Sequence, residues 1–153
     1  MDNYKFLNLG SFFLIKSRVD KTVLGSLVSV STDTYKYSKT PILGFTIQGN
    51  TGTSYITESI QDITPISINK EILEVSGFIF QDNTYSKNGI CISPTNDNKW
   101  DIIISTETSS IHTCISYVHE LQSLYLMFFN EQLPLKFGEL RLIIENGNSQ
   151  SSN

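Results

Sequence analysis

Ser116-Tyr-Val-His-Glu-Leu-Gln-Ser-Leu-Tyr-Leu-Met-Phe-Phe129 is the one long helical signal in a chain otherwise written in strands. Val118, Leu121, Leu124, Tyr125 and Phe128 recur at steps of three and four residues, the spacing of one helix face. Ser116 is a candidate N-cap for the free N–H groups of the first turn. Asn130 tolerates a left-handed terminus and Pro134 cannot continue a helix, so together they supply the stop. The apolar face is wide and must cover something. The polar side is thin, only His119, Glu120, Gln122 and Ser123. The pattern predicts a helix enclosed on more than one side, plugging one face of a largely antiparallel sheet.

Working outward, three strands are predicted just before this helix, over Gly89–Ser93, Trp100–Ser105 and Ser109–Ile115. The connections Pro94–Asn98 and Thr106–Thr108 make them a meander. Period-two alternation puts Trp100, Ile102 and Ile104 on one face of the middle strand, and Asp101, Ile103 and Ser105 on a half-solvated one. His112 and Cys114 face away from Ile111, Thr113 and Ile115. Farther upstream, Asn69 to Ser76 reads as a short helix, with Asn69 as cap, Glu71 favoured in the first turn and Gly77 closing it. Phe12–Ile15, Thr22–Val30, Ile42–Ile47 and Thr53–Ile56 are predicted strands. Gly25 is a candidate bulge or close backbone approach, and Gly49-Asn50-Thr51-Gly52 a turn. After Pro134, the alternation of Leu140, Leu142 and Ile144 predicts a last strand to Glu145. The expected fold is therefore α+β: a predominantly antiparallel sheet, partly barrel-like in its N-terminal half, covered by one main C-terminal helix and one short helix. Residues 1–145 are expected to form a single compact domain. Residues 146–153, all polar or glycine, are expected to be a disordered tail.

The 153 residues are enough to bury a core without disulfides or metal. Two cysteines make no disulfide framework. No continuous apolar leader and no run of about 18 apolar residues is present, so the expected setting is a reducing cytoplasm with no membrane partner. The net charge of -4 argues mildly against nucleic acid. The charge is uneven, however. Residues 1–39 hold six basic and three acidic residues, and the remainder holds five basic and twelve acidic. Such a dipolar surface can orient a partner.

Candidate chemistry is sparse. His112, Cys114 and His119, with Asp101 or Cys91 nearby, are the one cluster that suggests zinc or a Cys–His nucleophile. Their spacing matches no compact finger, and a mid-strand cysteine is a poor carrier for a nucleophile. Glu71 and Glu74 share the polar side of a helix, where solvation explains them. There is no Gly-rich phosphate loop, nucleophile elbow or HExxH. Catalysis, a cofactor and a resident metal are accordingly not expected. Tyr35-Lys36-Tyr37-Ser38-Lys39 carries more weight, because it interleaves aromatics with lysines in the basic part of the chain. With Lys16 and Arg18 beside it, it is the candidate partner-binding patch. Aromatic anchors with a basic rim suit an acidic protein surface, and the same residues suit stacking bases and phosphates. The apolar excess of Leu124, Leu126, Met127, Phe128 and Phe129 offers a route to a homo-oligomer.

The run Tyr117-Val118-His119-Glu120-Leu121-Gln122-Ser123-Leu124-Tyr125, followed by Glu131-Gln132-Leu133, resembles the C-terminal signature of a group of small proteins from Bacteroidetes genomes, their prophages and phages. Pro65–Leu73 closing at Gly77-Phe78, and the opening Leu7-Asn8-Leu9-Gly10-Ser11, are similar to that group's other segments, in the same order. The three pieces touch about 40 residues, and Ser123 stands where the group has asparagine. The resemblance implies an origin, not a mechanism. It implies an accessory protein in a bacterial host cell or on a virion, binding a protein partner such as a virion component or a host defence protein it inhibits. It does not make His119 or Gln122 catalytic; both read as polar groups fixing the helix to the sheet. The expected function is thus a non-catalytic protein-binding accessory protein. A nucleic-acid-binding module on the Tyr35–Lys39 patch and a small metal-dependent or Cys–His hydrolase are the alternatives.

Overall fold

The computed structural model describes residues 9–16, 22–31, 42–49, 52–59, 63–107 and 109–150. The chain is α+β, with two compact units: residues 1–66 with 118–124, and residues 67–117 with 125–153.

The first unit is a five-stranded antiparallel sheet, β1 (Phe12–Lys16), β2 (Thr22–Ser31), β3 (Ile42–Gly49), β4 (Gly52–Ser59) and β5 (Ile63–Pro65), in the order β4-β3-β2-β1-β5. Its end strands, β4 and β5, do not pair with each other, so the sheet is open and the expected barrel closure is absent among the described residues. The register of β2 against β3 slips between Leu27 and Ser29. The bulge therefore falls at Val28 rather than at Gly25, which pairs regularly with Phe13. Phe12, Phe13, Ile15, Leu24, Leu27 and Ile63 are buried.

The predicted main helix is α2 (Val118–Phe129). Its first two turns belong to this unit. Val118, Leu121 and Leu124 are buried, each contributing about 2 kcal/mol of apolar burial. On its polar side His119 and Ser123 are buried, and Glu120 and Gln122 are half-buried. His119 stacks on Phe13 with ring centroids 5.0 Å apart, and the Ser123 hydroxyl donates to the His119 carbonyl at 2.7 Å. Gln122 reaches the start of β1: its Oε1 accepts from the Phe12 N–H at 3.0 Å, and its Nε2 donates to the Gly10 carbonyl at 3.3 Å. The Val118 N–H donates to the Ile66 carbonyl at 2.8 Å. At the far end Asn130 takes the left-handed conformation, φ 52°, that the sequence assigns to it.

The second unit carries a five-stranded meander, β6 (Ile79–Gln81), β7 (Thr84–Lys87), β8 (Ile90–Pro94), β9 (Trp100–Ser105) and β10 (Ser110–Ile115), each strand antiparallel to the next. Asp82-Asn83 and Asn88-Gly89 have positive φ at both positions, the backbone of two-residue hairpin turns. Before the sheet comes α1 (Lys70–Val75), capped as predicted: the Asn69 side chain accepts from the Ile72 N–H at 2.8 Å. It ends with Gly77 at φ 82°, its N–H donating to Glu74 and that of Phe78 to Leu73, a Schellman closure. Lys87 donates to the last carbonyl of that turn, at Ser76, over the rings of Phe78 and Tyr125. Desolvation holds its ammonium below the ordinary lysine range.

The predicted last strand is instead a helix, α3 (Phe137–Gln150), which touches α1. It also takes in 146–150 of the expected tail, while 151–153 lie outside the described residues. No helix among the described residues is long and apolar enough to cross a membrane.

Candidate functional site

The second sheet has two unlike faces. Tyr85, Ile90, Ile92, Trp100, Ile102 and Ile104 are buried on one. On the other, Cys91, Ile103, Ser105, His112 and Cys114 are exposed, and Asp101 is half-buried. The register turns this alternation into rows. Ile79 lies opposite Ser86, Ser86 opposite Cys91, Cys91 opposite Ile103, and Ile103 opposite His112. One row therefore crosses all five strands, with apolar residues at Ile79, 70% exposed, and Ile103, 42% exposed. The next row holds Ser93, Asp101 and Cys114.

At one end of these rows three polar side chains meet. His112 Nε2 lies 2.5 Å from Asp101 Oδ1, and the Cys114 Sγ–H donates to the same oxygen at 3.5 Å. Asp101 thus sits between histidine and cysteine. Loss of water around the sulfur, then the hydrogen bond to Asp101 and its negative charge, push the Cys114 thiol above the ordinary cysteine range. A nucleophile needs the opposite shift. The thiol and the histidine both meet the carboxylate, the thiol donating to Asp101.

The larger cluster suggested by the sequence does not assemble. His119 belongs to the first unit, buried against Phe13. Cys91 and Cys114 are separated by the whole of β9, roughly 10 Å at ordinary strand spacing, beyond disulfide reach. Among the described residues no three histidine, cysteine or acidic side chains are placed to hold a metal ion.

The basic and aromatic patch falls largely outside the described residues. Lys16 is the last residue of β1, opposite Thr22. Its side chain is not among those described, nor are Arg18, Tyr35, Lys36, Tyr37 and Lys39. Of the α2 residues considered for an oligomer contact, Leu124 is buried, Leu126, Phe128 and Phe129 are half-buried, and only Met127 is exposed. The sequence missed Ile79 as part of a surface, because the row exists only once five strands are in register.

One further feature is the edge. Among the described residues β10 pairs only with β9, and β6 only with β7. The turn between β9 and β10 is closed by the Thr106 N–H donating to the Ser109 carbonyl at 2.8 Å. In an antiparallel ladder, bonded pairs recur every second residue. Ile111, Thr113 and Ile115 therefore bond to β9, and Ser110, His112 and Cys114 turn their backbone N–H and C=O groups outward.

No family model, curated protein or solved structure matches this chain. The viral, phage and inhibitor identity drawn from the resemblance is therefore withdrawn: it rested on short motif runs, and no comparison gives it a relative.

Proposed function

We propose that this protein is a non-catalytic binding protein, and that the open face of its second sheet holds a protein partner. The observation that carries this reading is the row Ile79–Ser86–Cys91–Ile103–His112, which sets two exposed isoleucines on one face across five paired strands. Apolar anchors with a polar margin, here Asp101, His112 and Cys114, are the ordinary makeup of a protein-binding surface. The protonated state favoured for Cys114 agrees with a binding role for this cluster rather than a nucleophilic one.

The test is a photo-crosslinking residue at Ser86, in the middle of the row, used in lysate with the wild-type chain and with Ile103→Lys. A saturable cross-linked protein that disappears with Ile103→Lys, at unchanged thermal stability, supports the reading. A cross-link indifferent to both Ile103→Lys and Ile79→Lys removes this face from consideration.

A further inference from the structure

We propose that the free edge of β10 is a self-association site: a second copy of this chain adds its own β10, antiparallel, about a two-fold axis at His112. The two second sheets then join as one ten-stranded sheet.

The phase of the ladder supplies the groups. Ser110, His112 and Cys114 present backbone donors and acceptors away from β9. The same phase continues one step further, where the outward carbonyl of Ser116 is already taken by the Ile68 N–H at 3.0 Å, with Ser67 bridged antiparallel to Tyr117. The line of this edge therefore already accepts an antiparallel segment at its end, and the three residues before it stand open among the described residues.

The choice of occupant follows from what β10 lacks. Edge strands that must stay single are guarded by lysine, proline, a bulge or an inward charge. β10, Ser-Ile-His-Thr-Cys-Ile, has no lysine, arginine, carboxylate or proline, and its register on β9 runs from Ser110 to Ile115 without a shift. It is also self-complementary. An axis at His112 sets Ser110 opposite Cys114 of the second copy and His112 opposite its equivalent. All three pairs are of the bonded type, giving six backbone hydrogen bonds. On the other face, Ile111, 42% exposed, comes to lie beside Thr113 of the second copy. An axis at Cys114 would require the carbonyl of Ser116, which is taken. An axis at Ser110 would use fewer of the free groups. His112 is the centre that uses all three. Symmetric two-fold pairing is also the commonest form of homo-oligomer.

The register makes a sharp test, independent of the binding role proposed for the open face. In Ser110→Cys, the introduced thiol stands opposite Cys114 of the second copy. The Cα separation of a bonded antiparallel pair is about 5.5 Å, within disulfide range. Within one chain the two positions lie about 13 Å apart along the strand, out of reach. The expected result on mild oxidation of the full chain is a covalent dimer, with mass spectrometry linking position 110 to Cys114. The wild type, whose Cys114 residues are offset along the paired strands, gives no such dimer. Adding His112→Pro, which deletes the outward N–H at the axis and spares the bonds to β9, is expected to cut the cross-linked yield at least severalfold; Ile111→Lys is the second edge guard if the proline variant does not fold. Position 110 linked to itself, a dominant link through Cys91, or a monomer at every concentration in sedimentation overturns the inference. A partner cross-linked through Ser86 to a chain that stays monomeric also overturns it, and leaves the proposed function standing.

Discussion

Gln122 and Phe12 stand 110 residues apart in sequence and 3.0 Å apart in space, the amide oxygen of one accepting the backbone N–H of the other. The same amide donates to Gly10, so one side chain satisfies both sides of the entry to β1. Gln122→Ala leaves a partly buried donor and acceptor without it. We expect a loss of about 1–3 kcal/mol, measured by urea unfolding. A loss under a few tenths of a kcal/mol would mean that solvent replaces both bonds.

Gly89 and Gly77 differ in what surrounds them. A Cβ at Gly89, φ 80°, would stand 2.8 Å from the backbone carbonyl oxygen of Ser105, which cannot step aside. At Gly77, φ 82°, it would meet only the end of the flexible Lys87 side chain, at 2.9 Å. Gly89→Ala should cost about 2–3 kcal/mol and Gly77→Ala about 1 kcal/mol. Thermal melts of the pair check the order, and a reversed order would contradict the hairpin geometry at Asn88-Gly89.

The Cys114 thiol is pushed up, so at pH 8 it is less ionised than an unperturbed cysteine. Asp101→Asn removes one of the causes and lowers that value, so more thiolate is present at the same pH. Alkylation of Cys114 by iodoacetamide at pH 8, followed by mass spectrometry, should speed up between about 2- and 10-fold in the variant. An unchanged rate would mean that Asp101 does not act on the sulfur.

The hydroxyl of Ser11 is buried and has no hydrogen-bond partner among the described residues. Replacing it with a methyl group removes a desolvated polar atom at little cost in volume. Ser11→Ala is expected to be neutral or to raise the melting temperature by a few degrees, about 1 kcal/mol. A clear destabilisation in the same melt would point to a partner for that oxygen.

The basic and aromatic segment carries its own expectation. Reversing Lys36 and Lys39 together should weaken binding to an acidic partner without lowering the melting temperature. Titration of the captured partner against the double variant decides it: equal affinity removes Lys16, Arg18, Tyr35, Lys36, Tyr37 and Lys39 as a group.

The sequence was most legible where one periodicity stood alone. α2 declared itself by its three- and four-residue spacing, α1 by Asn69 and Gly77, and β9 by strict alternation from Trp100 to Ser105. α3 was misread because Leu140, Leu142 and Ile144 alternate like a strand, while Phe137, Leu140 and Ile144 also lie at three- and four-residue steps. In so short a window the two periods overlap, and Gly138 and Gly147 weaken the helical propensity further. β7 has one buried residue, Tyr85, and so almost no pattern of its own. No strand was predicted there, and the turn pairs Asp82-Asn83 and Asn88-Gly89 that bound it were not read as turns. Within the site, the half-solvated face was readable from β9, and the shared direction of His112 and Cys114 from β10. The row to Ile79 and the outward phase of β10 were not, because both depend on register between strands.

The discontinuous make-up of the first unit sets an order of events during synthesis. β1 leaves the ribosome long before the glutamine that satisfies its first N–H. At ordinary elongation speeds of about 5–20 residues per second, the 110 residues from Phe13 to Gln122 take roughly 5–20 s to make. For that interval the N-terminal sheet lacks the α2 turns that pack with it, and Phe13 lacks the His119 ring that stacks on it. The nascent chain is therefore most vulnerable to misassociation before Leu124 is added, and chaperone demand should fall once it has been.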